Sequence, residues 1–170
     1  MKTQAVVFPA ADRFECRELT LAEPGPGDIV VRTLITAISP GTERWILRGK
    51  HIGTRFPCVP GYHRIGVVER CGNAVTALRP GMVVYGSANR WQEADIVSMW
   101  GAHVGCSVSA PGGYRVLAET ALPMEKLESL VFTILCGVSN RGINRAEVRA
   151  GDMTLHVGAG IVGVCAAQLA

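Results

Sequence analysis

No two of the six cysteines (Cys16, Cys58, Cys71, Cys106, Cys136, Cys165) stand in a C-x-x-C spacing. That absence argues against a zinc knuckle, and without a secretory leader a chain of this length is not expected to be a disulfide scaffold. Most of these cysteines read as small buried apolar residues, with Cys136 as the exception. The opening MKTQAVVFPAADRFE meets charge too soon for a signal peptide, and no apolar run reaches the length of a membrane span. A cytoplasmic protein with no membrane partner is the expectation. Net charge is only +3, with arginines such as Arg32, Arg44, Arg64 and Arg79 scattered singly. This gives no basic stripe for nucleic acid, and those arginines read as solvated surface. Internal repeats and low-complexity tracts are also missing. What remains is 48% hydrophobic and 18% charged, a composition that folds.

Short strands broken by turns fill the first two thirds. QAVVF (Gln4–Phe8), FECREL (Phe14–Leu19), DIVVRTLITAI (Asp28–Ile38), RIGVVERCG (Arg64–Gly72), MVVYG (Met82–Gly86) and GGYRVLAE (Gly112–Glu119) have strand character. SPGTE reads as the break after the third. Strands at this spacing predict a barrel or sandwich rather than βαβ units. The stretch Ser87–Cys106 reads either as a long loop or as a helical turn around WQEADIVSMW. From Pro123 the pattern changes. Leu127, Leu130, Val131, Ile134, Leu135 and Val138 recur at helical spacing within Met124–Val148, predicting two helices or one broken near Gly137. RAGD then turns into a short strand, Met153–Val157, and IVGVCAAQLA opens a helix.

Gly158, Gly160 and Gly163 form G-x-G-x-x-G between that strand and that helix, the context the motif requires. Gly158 permits the tight turn, Gly160 admits a pyrophosphate close to the backbone, and Gly163 lets the helix pack closely. The helix start at Ile161 and Val162 offers free N–H groups and partial positive charge to phosphates. The alternative is a turn that merely packs tightly. The acidic residue that would hold a ribose hydroxyl lies past Ala170, so NAD and NADP are not distinguished.

The order of these segments resembles the medium-chain dehydrogenase/reductase superfamily, specifically its zinc-type alcohol, polyol and threonine dehydrogenase branch. AISPGTE is similar to that branch's Cys-Gly-Thr-Asp turn. FPCVPGYHRIGVVERCGNAVTALRPGMVV is similar to its Gly-His-Glu segment and following Pro-Gly-Asp turn, and GDMTLHVGAGIVGVCAAQLA to the start of its nucleotide domain. The resemblance implies a mainly β, GroES-like barrel over residues 1–123, a connecting helical segment over 124–149, and the start of an α/β Rossmann fold over 150–170. Members run to about twice this length. The chain is therefore expected to be an N-terminal fragment, inactive alone, of a homo-oligomeric enzyme.

Zinc-dependent members hold their metal with a cysteine in the first turn, the histidine of Gly-His-Glu and a later cysteine or acid. Here Pro40 and Tyr62 stand at the first two places, and neither supplies a usual zinc ligand. Cys136 matches the later cysteine. A metal-free site is the expectation, with a rearranged set of Glu43, His63 and Cys136 as the alternative. The four-cysteine structural zinc lobe is missing as well. Without metal, a proton donor must serve the alcohol or carbonyl oxygen. Thr42, at the family's proton-relay position, Tyr62 and His63 are the catalytic candidates. Each also has a bland role as turn-maker, core tyrosine or structural histidine. Ser139 and Asn140 lie where relatives approach the nicotinamide, with helix capping as the alternative, and Asn140 joins the glycine turn as a cofactor candidate. His51, His103 and His156 show no partner pattern.

The function implied is an NAD(P)-dependent, alcohol dehydrogenase-like oxidoreductase acting on a small-molecule alcohol or carbonyl. A zinc-less quinone or enone reductase and a non-catalytic GroES-like binding module are the alternatives. The SPGTE turn is also similar to that of pigment-side-chain dehydrogenases.

Overall fold

A computed structural model describes all residues, Met1–Ala170. Nine strands come first and three of four helices last. The strands are β1 (Lys2–Val7), β2 (Glu15–Thr20), β3 (Ile29–Ala37), β4 (Cys58–Val59), β5 (His63–Cys71), β6 (Val83–Tyr85), β7 (Val97–Ser98), β8 (Cys106–Ser109) and β9 (Arg115–Ala118). The helices are α1 (Pro40–Leu47), α2 (Met124–Leu130), α3 (Thr133–Arg145) and α4 (Ile161–Leu169). β8-β3-β5-β6-β9 form an antiparallel sheet, β1 pairs with β2, and β4 pairs parallel with β7. Single bridges, Ala5 with Val104, Phe8 with Cys58 and Leu21 with Trp91, tie the small ladders to the rest.

The centre is β5 against β3, and both faces of its first half are buried. Side chains alternate along a strand, so neighbours go to opposite faces. Ile65 packs with Val83, Leu127 and Val131, under α2. On the other face Val68 joins Ile29, Val31, Val84 and Tyr114. The backbones of β3 and β5 lie so close at Gly66 that a Cβ there would sit 2.6 Å from the Arg32 carbonyl oxygen. This alternation sends His63 toward α2 and Arg64 toward Tyr114.

Arg64 corrects the sequence reading. It is not solvated surface but fully buried. Nε donates to the Gly86 carbonyl at 2.9 Å, and Nη2 to the Ala88 carbonyl at 3.1 Å and to Tyr114 Oη. Carbonyl and phenol oxygens, with no carboxylate, meet Nε and Nη2, Nη1 is buried without a partner, and burial pulls the pKa down. The cysteine expectation also fails in part. Only Cys58 is buried, while Cys16 and Cys136 are exposed.

SPGTE ends β3, as expected, and also opens α1. Ser39 takes the N-cap position, Pro40 the first turn, and Glu43 the N-terminal end of the helix, where acid is favoured. Ser87–Cys106 is a loop with β7, the Trp91 and Val104 bridges and the first residue of β8, and with no helical turn. The break in the helical region falls at Val131–Phe132 rather than near Gly137. Residues 153–157 form no strand, and Met153, Leu155 and Val157 are at least 90% exposed. A strand exists only as part of a ladder, and no segment of this chain pairs with this one.

Candidate functional site

The end of β3, the first turn of α1 and the start of β5 converge on a group of hydroxyl and imidazole side chains. Tyr62, half-buried, donates its phenolic hydrogen to Ser39 Oγ at 2.6 Å. Its ring lies 4.2 Å from the His63 ring and meets Trp100 edge-on at 5.4 Å between centroids. Ser39 Oγ donates to no protein atom, so its own hydrogen is available. Thr42 follows three residues later on the same side of the helix start, half-buried, with no protein partner for its hydroxyl. Ser39 and Tyr62 are therefore joined by one hydrogen bond, and Thr42 lies three residues along α1 from Ser39.

His63 is fully buried behind Tyr62. Tyr85 Oη donates to the Val131 carbonyl at 3.2 Å, which leaves its oxygen to accept from His63 Nδ1–H at 2.9 Å. This bond fixes the tautomer, and Nε2 is left bare, buried and without a partner. Burial lowers the His63 pKa, against the opposing pull of the Glu43 charge, so the ring is neutral. Burial also pushes the Tyr85 phenol far above its usual value, keeping it a donor.

Glu43 supports the helix start rather than joining His63. Its Oε1 accepts from the Ser39 backbone N–H at 2.9 Å, and its Oε2 meets His103 Nε2 at 2.9 Å. His103 Nδ1 lies 3.2 Å from Thr36 Oγ1. Cys136 sits elsewhere, 3.5 Å from Cys165 Sγ. Glu43, His63 and Cys136 are not brought together, and no group of three His, Cys, Asp or Glu is spaced to hold a metal ion. A cavity of about 790 Å³ opens between β1, β2, β3 and α1, with Glu43, His103 and Thr36 among its lining residues. Thr42, Tyr62 and the glycine turn do not line it.

The glycine turn lacks the preceding strand its motif expects but keeps the backbone features of its three glycines. Gly158 adopts φ +100°, which L side chains rarely accept. A Cβ on Gly160 would meet nothing within 4 Å, so the backbone there is open to a ligand. One on Gly163 would lie 2.1 Å from the Gly158 carbonyl oxygen. Gly160 is the N-cap of α4 and provides no side-chain cap, leaving the N–H groups beside Ile161 and Val162 outward and unmet. Asn140 is exposed on α3 and does not touch the turn. Its neighbour does: Ser139 Oγ, buried, reaches the Val162 carbonyl at 2.9 Å.

Sequence reasoning missed Ser39 and His103. Ser-Pro-x-x-Glu was a readable helix-start signal. Nothing local marks His103, whose partners are 60 and 67 residues away.

Comparison with known proteins follows the same lines. The alcohol dehydrogenase GroES-like domain family matches residues 25–125. An alcohol dehydrogenase of Cupriavidus necator is 26% identical over 96% of this chain and 53% of its own length. The 2-desacetyl-2-hydroxyethyl bacteriochlorophyllide A dehydrogenase of Cereibacter sphaeroides is 38% identical over 50% of this chain and 27% of its own. The fold superposes on benzyl alcohol dehydrogenase of Acinetobacter calcoaceticus with a TM-score of 0.79, at 20% identity, covering 99% of this chain and 55% of that one. Two other solved structures of this fold hold NADH and NADP(H). The chain thus spans about half the length of such relatives, or less.

Proposed function

The chain belongs to the alcohol dehydrogenase GroES-like domain family, within the medium-chain dehydrogenase/reductase superfamily, and from that footing we propose that it is the substrate-holding half of an NAD(P)-dependent oxidoreductase working without catalytic zinc. In this reading residues 1–123 hold the alcohol or carbonyl compound, 124–149 connect, and 150–170 begin the cofactor domain. A bound nicotinamide would supply or accept the hydride. The turn at Gly158, Gly160 and Gly163 and the start of α4 at Ile161 and Val162 would hold its diphosphate, and the open space at Gly160 fits that group.

The observation that carries the zinc-free reading is the 2.6 Å hydrogen bond from Tyr62, at a place where the family has a zinc ligand, to Ser39, the residue before the other such place at Pro40. The donor set here, Pro40 and Tyr62 in place of cysteine and histidine, does not fit zinc. The hydroxyl pair moves a proton instead. Ser39 Oγ–H donates to the substrate oxygen while Tyr62 Oη–H restores the serine proton. Thr42 supplies a third hydroxyl three residues along α1 from Ser39. Neutral His63, locked by Tyr85, supports the Tyr62 ring and keeps it from turning.

The test uses the full coding sequence that contains this chain, assayed with NAD(P)H or NAD(P)⁺ against a panel of alcohols, aldehydes, ketones and quinones. Turnover should survive exhaustive chelation. Tyr62→Phe should lower kcat by about 10²-fold, the scale of one positioned proton donor, with KM little changed. Loss of all turnover on chelation, restored by Zn²⁺, would refute the zinc-free reading. Failure of both NADH and NADPH to bind would refute the oxidoreductase reading itself.

A further inference from the structure

α3 and α4 are held together by two contacts that run in register. Ser139 of α3 meets Val162 of α4, and three residues back along α3 and three forward along α4, Cys136 meets Cys165. The two helices therefore cross antiparallel, with one hydroxyl bond and one thiol contact a helical turn apart. The sulfurs are 3.5 Å apart, Cys136 is exposed and Cys165 half-exposed. A disulfide needs its sulfurs at about 2.05 Å, so closing this pair takes a movement of roughly 1.5 Å.

The remaining thiols are placed otherwise. Cys58 is fully buried, and burial pushes its thiol up to about 11, so thiolate is scarce there. Cys71 gives its S–H to the Leu78 carbonyl at 3.4 Å. Cys16 is exposed on β2, and no second thiol contacts it. No other pair of cysteines in the chain is in sulfur–sulfur hydrogen-bond contact.

We propose that Cys136 and Cys165 form a redox-active dithiol that takes low-molecular-weight disulfides as its oxidant and, when closed, ties the helix of the glycine turn to α3. The exposed Cys136 thiolate attacks one sulfur of the oxidant, forming a mixed disulfide and releasing one thiolate of the reagent. Cys165 then loses its proton and attacks Cys136 Sγ. The Cys136–Cys165 bond forms, the bond to the reagent breaks, and a second reagent thiolate leaves. Two protein thiols are oxidised, one small disulfide is reduced to two thiols, and the two protons pass to the departing thiolates. Cys136 is exposed and Cys165 only half-exposed, so the oxidant reaches Cys136 first and Cys165 resolves the mixed disulfide. The inference rests on the geometry of α3 and α4 and not on the oxidoreductase reading.

The experiment incubates the reduced 170-residue chain with increasing oxidised glutathione, quenches with acid and a thiol-alkylating reagent, and maps peptides by mass. The expected first product has lost two hydrogens, carries no glutathione, and links the Cys136 peptide to the Cys165 peptide. Dithiothreitol should reverse it. Cys165→Ser should instead accumulate a glutathione adduct on Cys136, and Cys136→Ser should leave Cys165 unmodified at the same reagent concentration. Both variants keep a polar group of similar size, and circular dichroism checks that they fold. Any of three results would overturn the proposal: stable glutathione adducts on wild-type Cys136, a first cross-link through a different cysteine, or no cross-link where Cys16 is already modified.

Discussion

Glu43 Oε2 and His103 Nε2 face each other across 2.9 Å, with side chains only 7% and 8% exposed. The pair joins the first turn of α1 to the segment just before β8, and Gly61 leaves the space for it. A Cβ at Gly61 would lie 2.6 Å from the imidazole. Removing one member of a buried pair strands the other. Glu43→Ala leaves the Ser39 N–H and His103 without their buried partner and should therefore cost about 1–3 kcal/mol in urea unfolding. Glu43→Gln keeps an acceptor for the Ser39 N–H and an amide facing His103, and should cost clearly less. Equal small losses for both variants would show that the pair is solvated and contributes little.

His63 should make stability depend on pH in a defined direction. Its folded pKa lies below the ordinary histidine value because burial disfavours the charged ring. Below about pH 6.5 the unfolded chain takes up this proton more readily than the folded one. The contribution of His63 is complete above that pH and is lost as pH falls toward the depressed folded value. His63→Asn keeps a donor near Tyr85 but cannot titrate. The difference in unfolding free energy between wild type and this variant should shrink as pH is lowered from 7.5 to 5. A difference flat across that range would contradict a neutral, buried His63.

How far the sequence carries depends on whether the determinant is local. The turn at Gly158 and the close packing at Gly163 were legible because their demands are met within a few residues, whereas the strand expected before them needs a sheet partner and does not form. β3 and β5 were legible from β-branched runs. β8, reading Cys-Ser-Val-Ser, was not. It becomes a strand because β3 offers it an edge, and its two serines are then buried with it. Arg64 looked like surface because arginine usually is. Only the folded sheet brings the Gly86 and Ala88 carbonyls and Tyr114 around it. The same holds at the site. Tyr62 was a candidate from its position, but its partner Ser39 lies 23 residues away and depends on SPGTE opening a helix. The proline there carried two meanings, strand breaker and first helical residue, and the reading as a breaker obscured α1.

Gly163 and Gly142 provide paired substitutions with opposite signs. Both are helical glycines, on α4 and α3, and a helix interior gains about 0.5–1 kcal/mol when glycine becomes alanine. At Gly142 the added methyl meets nothing within 4 Å, so Gly142→Ala should raise Tm. At Gly163 the methyl would fall 2.1 Å from the Gly158 carbonyl oxygen, a backbone atom with no rotamer to yield. Gly163→Ala must push α4 off the turn, and overpacking of this kind costs about 1–3 kcal/mol. The loss should be local. Amide hydrogen exchange should speed up across 158–169 and stay unchanged in β3 and β5, because the sheet core is built without α4. Binding of NADH or NADPH, measured by nicotinamide fluorescence on the full coding sequence, should weaken with it, while Gly142→Ala leaves binding intact. Unaltered exchange in α4 of Gly163→Ala would mean that the turn and helix are not packed as the structure has them.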